Sequence, residues 1–489
     1  MRKMTQQPYA PLLLAGMALG LALFTWGGAL HMTLQLHGLL LFAALALVRP
    51  DLALLFVPFS VPLYLMPVQL AGLRDGGLLV PLHEITLVLA GAAAATRGIS
   101  GWLRGSRNMP RLPLPRRELA APLLLLIAGV IGVALALPEG RSAALRDLRW
   151  LILEPLIFWW LLRTTPSSSG AALLACLAGG AMVAWLGLLQ FVGLDLVVLL
   201  GVKQNFGTPN VIEIDGLRRV TSVYGHPNNL GLYLGRIWPL ALSLALVAYR
   251  DGMRRRFWLA LAVVLPVLAA LAVSFSRGAW LGAAAAAAVL AIGVVRPQWR
   301  GRALGPLFGM LAVGAIVLGL ALSLRGGLGG GSVDARVLLW REAIQLIAEH
   351  PLGLGLDQFY FYHNPEFGRS RIDPALIGTS EQYAAHPHNL LLEAWLNVGP
   401  LGVVALGIAA WLMAARSSGA ARRGDLVASG VLAALIAGLV HGMVDQFYFV
   451  EDLAYLFWLL AVLAHQAATT SKGAGCDGPQ HVPDQAAAS

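Results

Sequence analysis

Charge is scarce in this chain. Of 489 residues, 12% are Asp, Glu, Lys or Arg and 58% are hydrophobic, whereas soluble globular proteins carry about 25% charged residues. That balance excludes a soluble globular enzyme. Cysteine is nearly absent. Cys176 lies in an apolar stretch and Cys476 in a polar tail, so neither a disulfide framework nor a cysteine metal centre is expected. No glycine-rich phosphate loop follows a strand pattern. No clustered-histidine zinc motif or Ser-His-Asp order stands out. There is no internal repeat, which argues against a transporter or flippase built from two related halves. The carboxylate pair Glu213 and Asp215 is a faint metal signal, and the expectation is no metal and no cofactor.

What fills the chain is apolar sequence in runs long enough to cross roughly 30 Å of hydrocarbon. The fold class is therefore an all-α polytopic membrane protein, a bundle of about 12–14 transmembrane helices with one large outer loop. Spans are expected near 10–30, 33–49, 51–67, 78–96, 119–137, 147–163, 171–193, 227–249, 257–274, 278–295, 303–323, 389–415, 425–443 and 452–468. Pro58, Pro62 and Pro67 should kink or break the third. The start, Met1-Arg2-Lys3, reads as the head of a retained signal anchor. The organisation is then a cytoplasmic N-terminus (1–9), N-terminal membrane helices (10–323), an outer loop with short helices (324–388), C-terminal membrane helices (389–468) and a disordered cytoplasmic tail (469–489).

The formal charge of +10 does not point to nucleic acid, because the basic residues gather in short loops between spans. Four such loops, around Arg97–Arg117, Arg250–Arg256, Arg296–Arg302 and Arg416–Arg423, fall on one side, which is cytoplasmic. The 324–388 loop then lies outside. Several arginines break the rule by lying at the outer face, among them Arg218, Arg219, Arg277, Arg325, Arg336, Arg341, Arg369 and Arg371. A basic excess there points to an anionic ligand, with ordinary pairing to loop carboxylates as the plain alternative.

Inside the outer loop, Gly326–Ser332 is a flexible linker. Asp334 can cap a helix running to about Glu349, with Val337, Trp340, Ile344 and Ile347 on one face, which either lies flat on the membrane surface or packs on neighbouring loops. The rings of Phe359–Tyr362 either pack the loop or stack on sugar, packing being the safer reading.

Arg277 stands between two apolar spans, flanked by Ser276 and Gly278. Its planar donors suit a phosphate; snorkelling to headgroups is the bland alternative. Arg218 and Arg219 precede the eighth span and offer a second phosphate contact. His226 and Asn228 sit at that span's mouth, where Asn228 can serve simply as a cap. Arg236 lies two turns further in. His388 and Asn389 open the twelfth span. A histidine can take a proton near neutral pH, although a capping role is also open. His386 is a weaker candidate, as is Glu393, one turn in, which could orient His388. His441 and Asp445, four apart, share a helix face and could line the same cavity.

Three segments carry a family likeness: VYGHPNNLGLYL at 223–234, SFSRGAWLG at 274–282, and EHPLGLGLDQF with HPHNLLLEAWLNVGPLG at 349–359 and 386–402. Over roughly residues 170–465 the chain resembles the O-antigen ligase and polymerase superfamily, bacterial inner-membrane glycosyltransferases of the GT-C type. Asn397 departs from the pattern, standing where an acidic residue is common. The resemblance implies a glycan donor on undecaprenyl pyrophosphate and an acceptor hydroxyl on lipid A–core, on another glycan or on protein. It also implies metal-independent inverting transfer and a site facing the periplasm, in contact with membrane lipids and no nucleic acid. It implies that Arg277, with Arg218 or Arg219, holds the pyrophosphate and that His388 activates the acceptor.

Overall fold

The computed structural model describes residues 9–70, 78–103, 116–165, 168–201, 203–204, 211–214, 217–294 and 332–473. The expected 303–323 span, the Gly326-to-Gly331 part of the linker, Asp215, Arg325, the Met1-Arg2-Lys3 start and most of the tail lie outside these residues. What is described is almost entirely helical, an all-α polytopic membrane protein.

In chain order the principal helices are α1 (Ala10–Gly27), α2 (Met32–Val48), α3 (Leu82–Leu103), α4 (Arg116–Leu135), α5 (Glu154–Thr164), α6 (Ser168–Phe191) and α7 (Pro227–Arg250). They continue as α8 (Arg254–Val273), α9 (Arg277–Val294), α10 (Ser332–Glu349), α11 (Leu390–Arg422), α12 (Leu426–Gly442) and α13 (Glu451–Gly473). Seven of these, α1, α4, α6, α7, α8, α11 and α13, are long and apolar enough to cross a membrane, and α2, α9 and α12 are shorter apolar helices.

The expected third span is broken, as its prolines require. It forms Pro50–Ala53, Phe56–Ser60 and a 3₁₀ turn, Val61–Leu63. A two-stranded ribbon of β1 (Val68–Leu70) and β2 (Leu78–Val80) follows. A helix from Arg141 to Asp147 runs into a π-helical stretch, Leu148–Leu153, and on into α5. The last helix continues five residues beyond the expected boundary of 468, to Gly473.

α7 is the axial element. It packs against α6, α8, α9 and α12, and nearly every side chain between Leu230 and Ala248 is buried. α9 and α12 approach closely because small residues face each other. A Cβ on Gly282 would lie 2.7 Å from the Ala437 carbonyl oxygen. At one end of the bundle Glu118 binds Arg163 and Arg416 at 2.7 Å each and His465 at 2.9 Å, tying α4, α5, α11 and α13 together.

The opposite end carries the loop from α10 to α11. Leu339, Ala343 and Leu346 of α10 form a small core with Leu354, Phe359, Leu376 and Leu396. Of the apolar face read from the sequence, Val337 and Ile344 are exposed, and α10 packs on its own loop along the neighbouring stripe. α10 begins at Ser332, so Asp334 lies in its first turn rather than at its cap. Phe359 is buried, as expected of a packing ring.

The two halves of the EHPLGLGLDQF and HPHNLLLEAWLNVGPLG pattern meet here. α11 breaks at Gly399, whose φ of 62° and ψ of −173° are essentially glycine-only. The break leaves the Leu396 carbonyl free to accept from Leu354 N (2.8 Å) and Gly355 N (3.1 Å). Asn397 accepts from Asp357 N at 2.8 Å and donates to the Glu393 carbonyl at 2.9 Å. The departure at this position is therefore filled by a structural amide.

Candidate functional site

The loop between α10 and α11, the start of α7, the start of α9 and the turn after α12 converge at this end of the bundle. At their meeting point Asp445 is a buried hub. Its Oδ2 accepts from Asn228 Nδ2 at 2.8 Å and lies 3.9 Å from Arg336 Nη2. Its Oδ1 lies 3.6 Å from His388 Nδ1 and 3.9 Å from His386 Nε2. These last contacts are electrostatic, being too long for hydrogen bonds. α12 ends at Gly442, so Asp445 stands in the following turn and does not share a helix face with His441. His441 instead reaches across to α9, with Nε2 3.4 Å from Ser276 Oγ, and its ring fills the space beside Gly278.

His388 is held between two carboxylates. Its Nε2 is 3.3 Å from Glu381 Oε2. Burial opposes a charge on this ring, but Asp445 and Glu381 outweigh it and raise the imidazole to about 9. Glu381 is in turn lowered, chiefly by its hydrogen bond with His388. Burial also opposes charge on Asp445, yet His386 and His388 hold it well below the usual carboxylate range. His386, whose ring centroid lies 4.2 Å from that of His388, is lowered by burial and by its charged neighbour. The cluster at neutral pH is thus an imidazolium between two carboxylates. Glu393, a weaker candidate for orienting His388, is buried in α11, and the carboxylate within reach of His388 Nε2 is Glu381.

The arginines separate clearly. In β4 (Leu217–Val220), which pairs with β3 (Val211–Ile214), neighbouring side chains point to opposite faces. Arg218 is exposed, while Arg219 is buried. Arg219 donates from Nε to the Ser274 carbonyl (3.1 Å) and from Nη2 to Asn228 Oδ1 (3.2 Å). Asn228 thus bridges Arg219 to Asp445. The cap of α7 is His226, whose Nδ1 accepts from Asn228 N at 3.1 Å. Burial and the Arg219 charge lower that ring to about 4. Arg277 begins α9, within electrostatic reach of Arg336. Arg236 is fully buried, donates to the Phe447 carbonyl at 2.7 Å and lies 4.8 Å from that ring. It braces the turn carrying Asp445. Asn389 caps α11, accepting from Leu391 N and Leu392 N, and donates to the Met443 carbonyl at 3.0 Å.

Backbone strain concentrates here. Four described non-glycine residues have positive φ, and three flank the cluster: Ser222 (53°), Phe275 (50°) and His388 (51°). Each such conformation costs about 1–3 kcal/mol and persists only where surrounding contacts impose it. One precedes Arg277 by two residues, one follows Arg219 by three, and one is the histidine itself. Two residues escaped the sequence reading as site members. Glu381 lies in a polar stretch with no periodicity, and Arg336 had been noted only as one of several outer arginines.

The arrangement gathers guanidinium groups of Arg219, Arg277 and Arg336 around a carboxylate–imidazolium–carboxylate set, which suits an anionic substrate carrying a hydroxyl partner. His386, His388 and Asp445 could together reach one metal ion, but the guanidinium charge beside them opposes a further cation. Residues 261–407, under a third of the chain, match the family model described as O-antigen ligase. This stretch runs from α8 into α11 and includes Arg277, Arg336, Glu381, His386 and His388. No curated protein matches the chain.

Proposed function

We propose that this chain, whose residues 261–407 match the O-antigen ligase family model, transfers a glycan from undecaprenyl pyrophosphate to an acceptor hydroxyl. It does so as a GT-C-type enzyme of the bacterial inner membrane, with its site facing the periplasm. The supporting observation is the convergence of Arg219, Arg277 and Arg336 with His388 and Asp445 at one end of the bundle.

The acceptor oxygen attacks the anomeric carbon, the bond from that carbon to the pyrophosphate oxygen breaks, and its electron pair stays on the pyrophosphate. Preorganised donors aimed at developing charge are the largest source of such catalysis. Arg277 holds the leaving pyrophosphate, with Arg219 and Arg336 behind it. His388 Nε2 takes the hydroxyl proton once the acceptor displaces Glu381 from that nitrogen. Losing one of its two carboxylates lowers the imidazole toward a basicity useful near neutral pH. Asp445 keeps Nδ1 oriented and supports the charge that forms. Displacement in one step inverts the anomeric centre.

The acceptor that fits the ligase reading is lipid A–core. A growing glycan or a protein hydroxyl uses the same donor chemistry. Purified protein supplied with lipid-linked glycan and each acceptor in turn, with products read by mass spectrometry, tests this. Product on lipid A–core supports the ligase assignment. Product only on glycan or on protein replaces it, and no product on any acceptor overturns the proposal.

A further inference from the structure

A second polar cluster lies at the same end of the bundle, and the transfer chemistry does not use it. It joins the N-terminal turns of α3, α5 and α13. His83 and Glu84 come from α3, Glu154 from α5, and Glu451 from α13. One donor atom each from His83, Glu84 and Glu154 lies within 4.8 Å of the other two. His83 Nε2 is 4.0 Å from Glu451 Oε2. His83 has no exposed surface, and neither of its ring nitrogens has a hydrogen-bond partner; Glu451 Oε2 has none either. Buried charges are normally paired or coordinate metals, and a buried imidazole with both nitrogens unsatisfied is costly.

The cation already in contact is Arg149, 3.1 Å from Glu84 and 3.4 Å from Glu154. It reaches neither His83 nor Glu451, and its side chain is 50% exposed, so it can swing aside. It sits in the π-helical stretch before α5, a distortion frequent at functional sites. A cavity of about 470 Å³ opens against Glu451, with Asp147, Trp150, Asn229 and Gln446 on its walls, and gives a path to the cluster.

We propose that His83, Glu84, Glu154 and Glu451 bind one divalent transition-metal cation, separate from the Asp445 cluster. One imidazole with carboxylates suits Zn²⁺ or Mn²⁺, whereas Mg²⁺ and Ca²⁺ prefer all-oxygen sites. The ion displaces Arg149, satisfies a His83 nitrogen and balances the carboxylates. It fastens α3 and α5 to α13 beside the cavity that Glu451 lines.

The test is titration of chelator-treated, full-length protein in detergent with Zn²⁺ by calorimetry and with Mn²⁺ by electron paramagnetic resonance, alongside thermal melting. The wild type should bind one equivalent of either probe and melt higher with it. His83→Asn and Glu451→Gln should each weaken binding about tenfold or more, while His386→Gln should leave it unchanged. If His83→Asn does not fold, Glu451→Gln decides. The proposal is overturned if the wild type binds neither ion saturably, if Glu451→Gln binds as the wild type does, or if His386→Gln removes the binding.

Discussion

His388 combines left-handed backbone, two carboxylate partners and a pKa near 9. Two expectations follow at the residue scale. Because kcat/KM reports the free enzyme, its acidic limb should rise with pH toward about 9. Glu381→Gln removes a carboxylate that favours the imidazolium, so the limb should move to lower pH. A limb that stays in place would remove Glu381 as the partner of the reacting nitrogen. The second expectation concerns stability. The folded pKa lies above the ordinary value of 6.5, so the His388 ion pairs contribute fully below about pH 6.5, and that contribution is lost as pH rises through about 9. The difference in Tm between wild type and His388→Gln should be largest near pH 6 and shrink as pH rises through about 9. At this scale Arg277 stands out in the sequence by breaking an apolar context, and His388 by the family likeness around it at the mouth of the twelfth span. It was silent on Glu381, whose importance comes from a loop fold with no period. It could not separate Arg218 from Arg219, because that choice depends on the facing of a short strand that hydropathy does not register.

Helices carry the site through their ends. α7, α9, α11 and α13 all begin at the outer-loop end, and α12 finishes there. The long apolar helices were legible because hydrophobic length is what a membrane demands. The prolines between 58 and 67 correctly foretold a broken span. The sequence left open which stripe of α10 packs, because its core is built against Phe359, Leu376 and Leu396, contacts remote in sequence. The Gly399 break was also not anticipated, although both glycine-rich halves of the pattern were quoted. They matter as a pair, since a Cβ on Gly399 would strike the Leu352 carbonyl. Gly399→Ala should therefore destabilise the protein by about 1–3 kcal/mol, seen as a lower midpoint in thermal or denaturant unfolding. An unchanged midpoint would show that the loop does not depend on this break.

For the whole molecule, the Glu118 network and the Asp445 cluster mark opposite ends, and the proposed orientation puts the second in the periplasm. In a Cys476→Ser background, Arg371→Cys should react with a membrane-impermeant maleimide in intact spheroplasts. Arg255→Cys, exposed at the other end, should react only after permeabilisation. The reverse pattern would invert the topology. The most direct measurement is single-turnover glycan transfer from undecaprenyl pyrophosphate by purified Arg277→Ala beside the wild type, with folding verified by thermal melting. Loss of one preorganised donor of this kind costs about 10²–10³ in rate, so the variant should fall by at least that much. Transfer at the wild-type rate by folded Arg277→Ala would contradict the account.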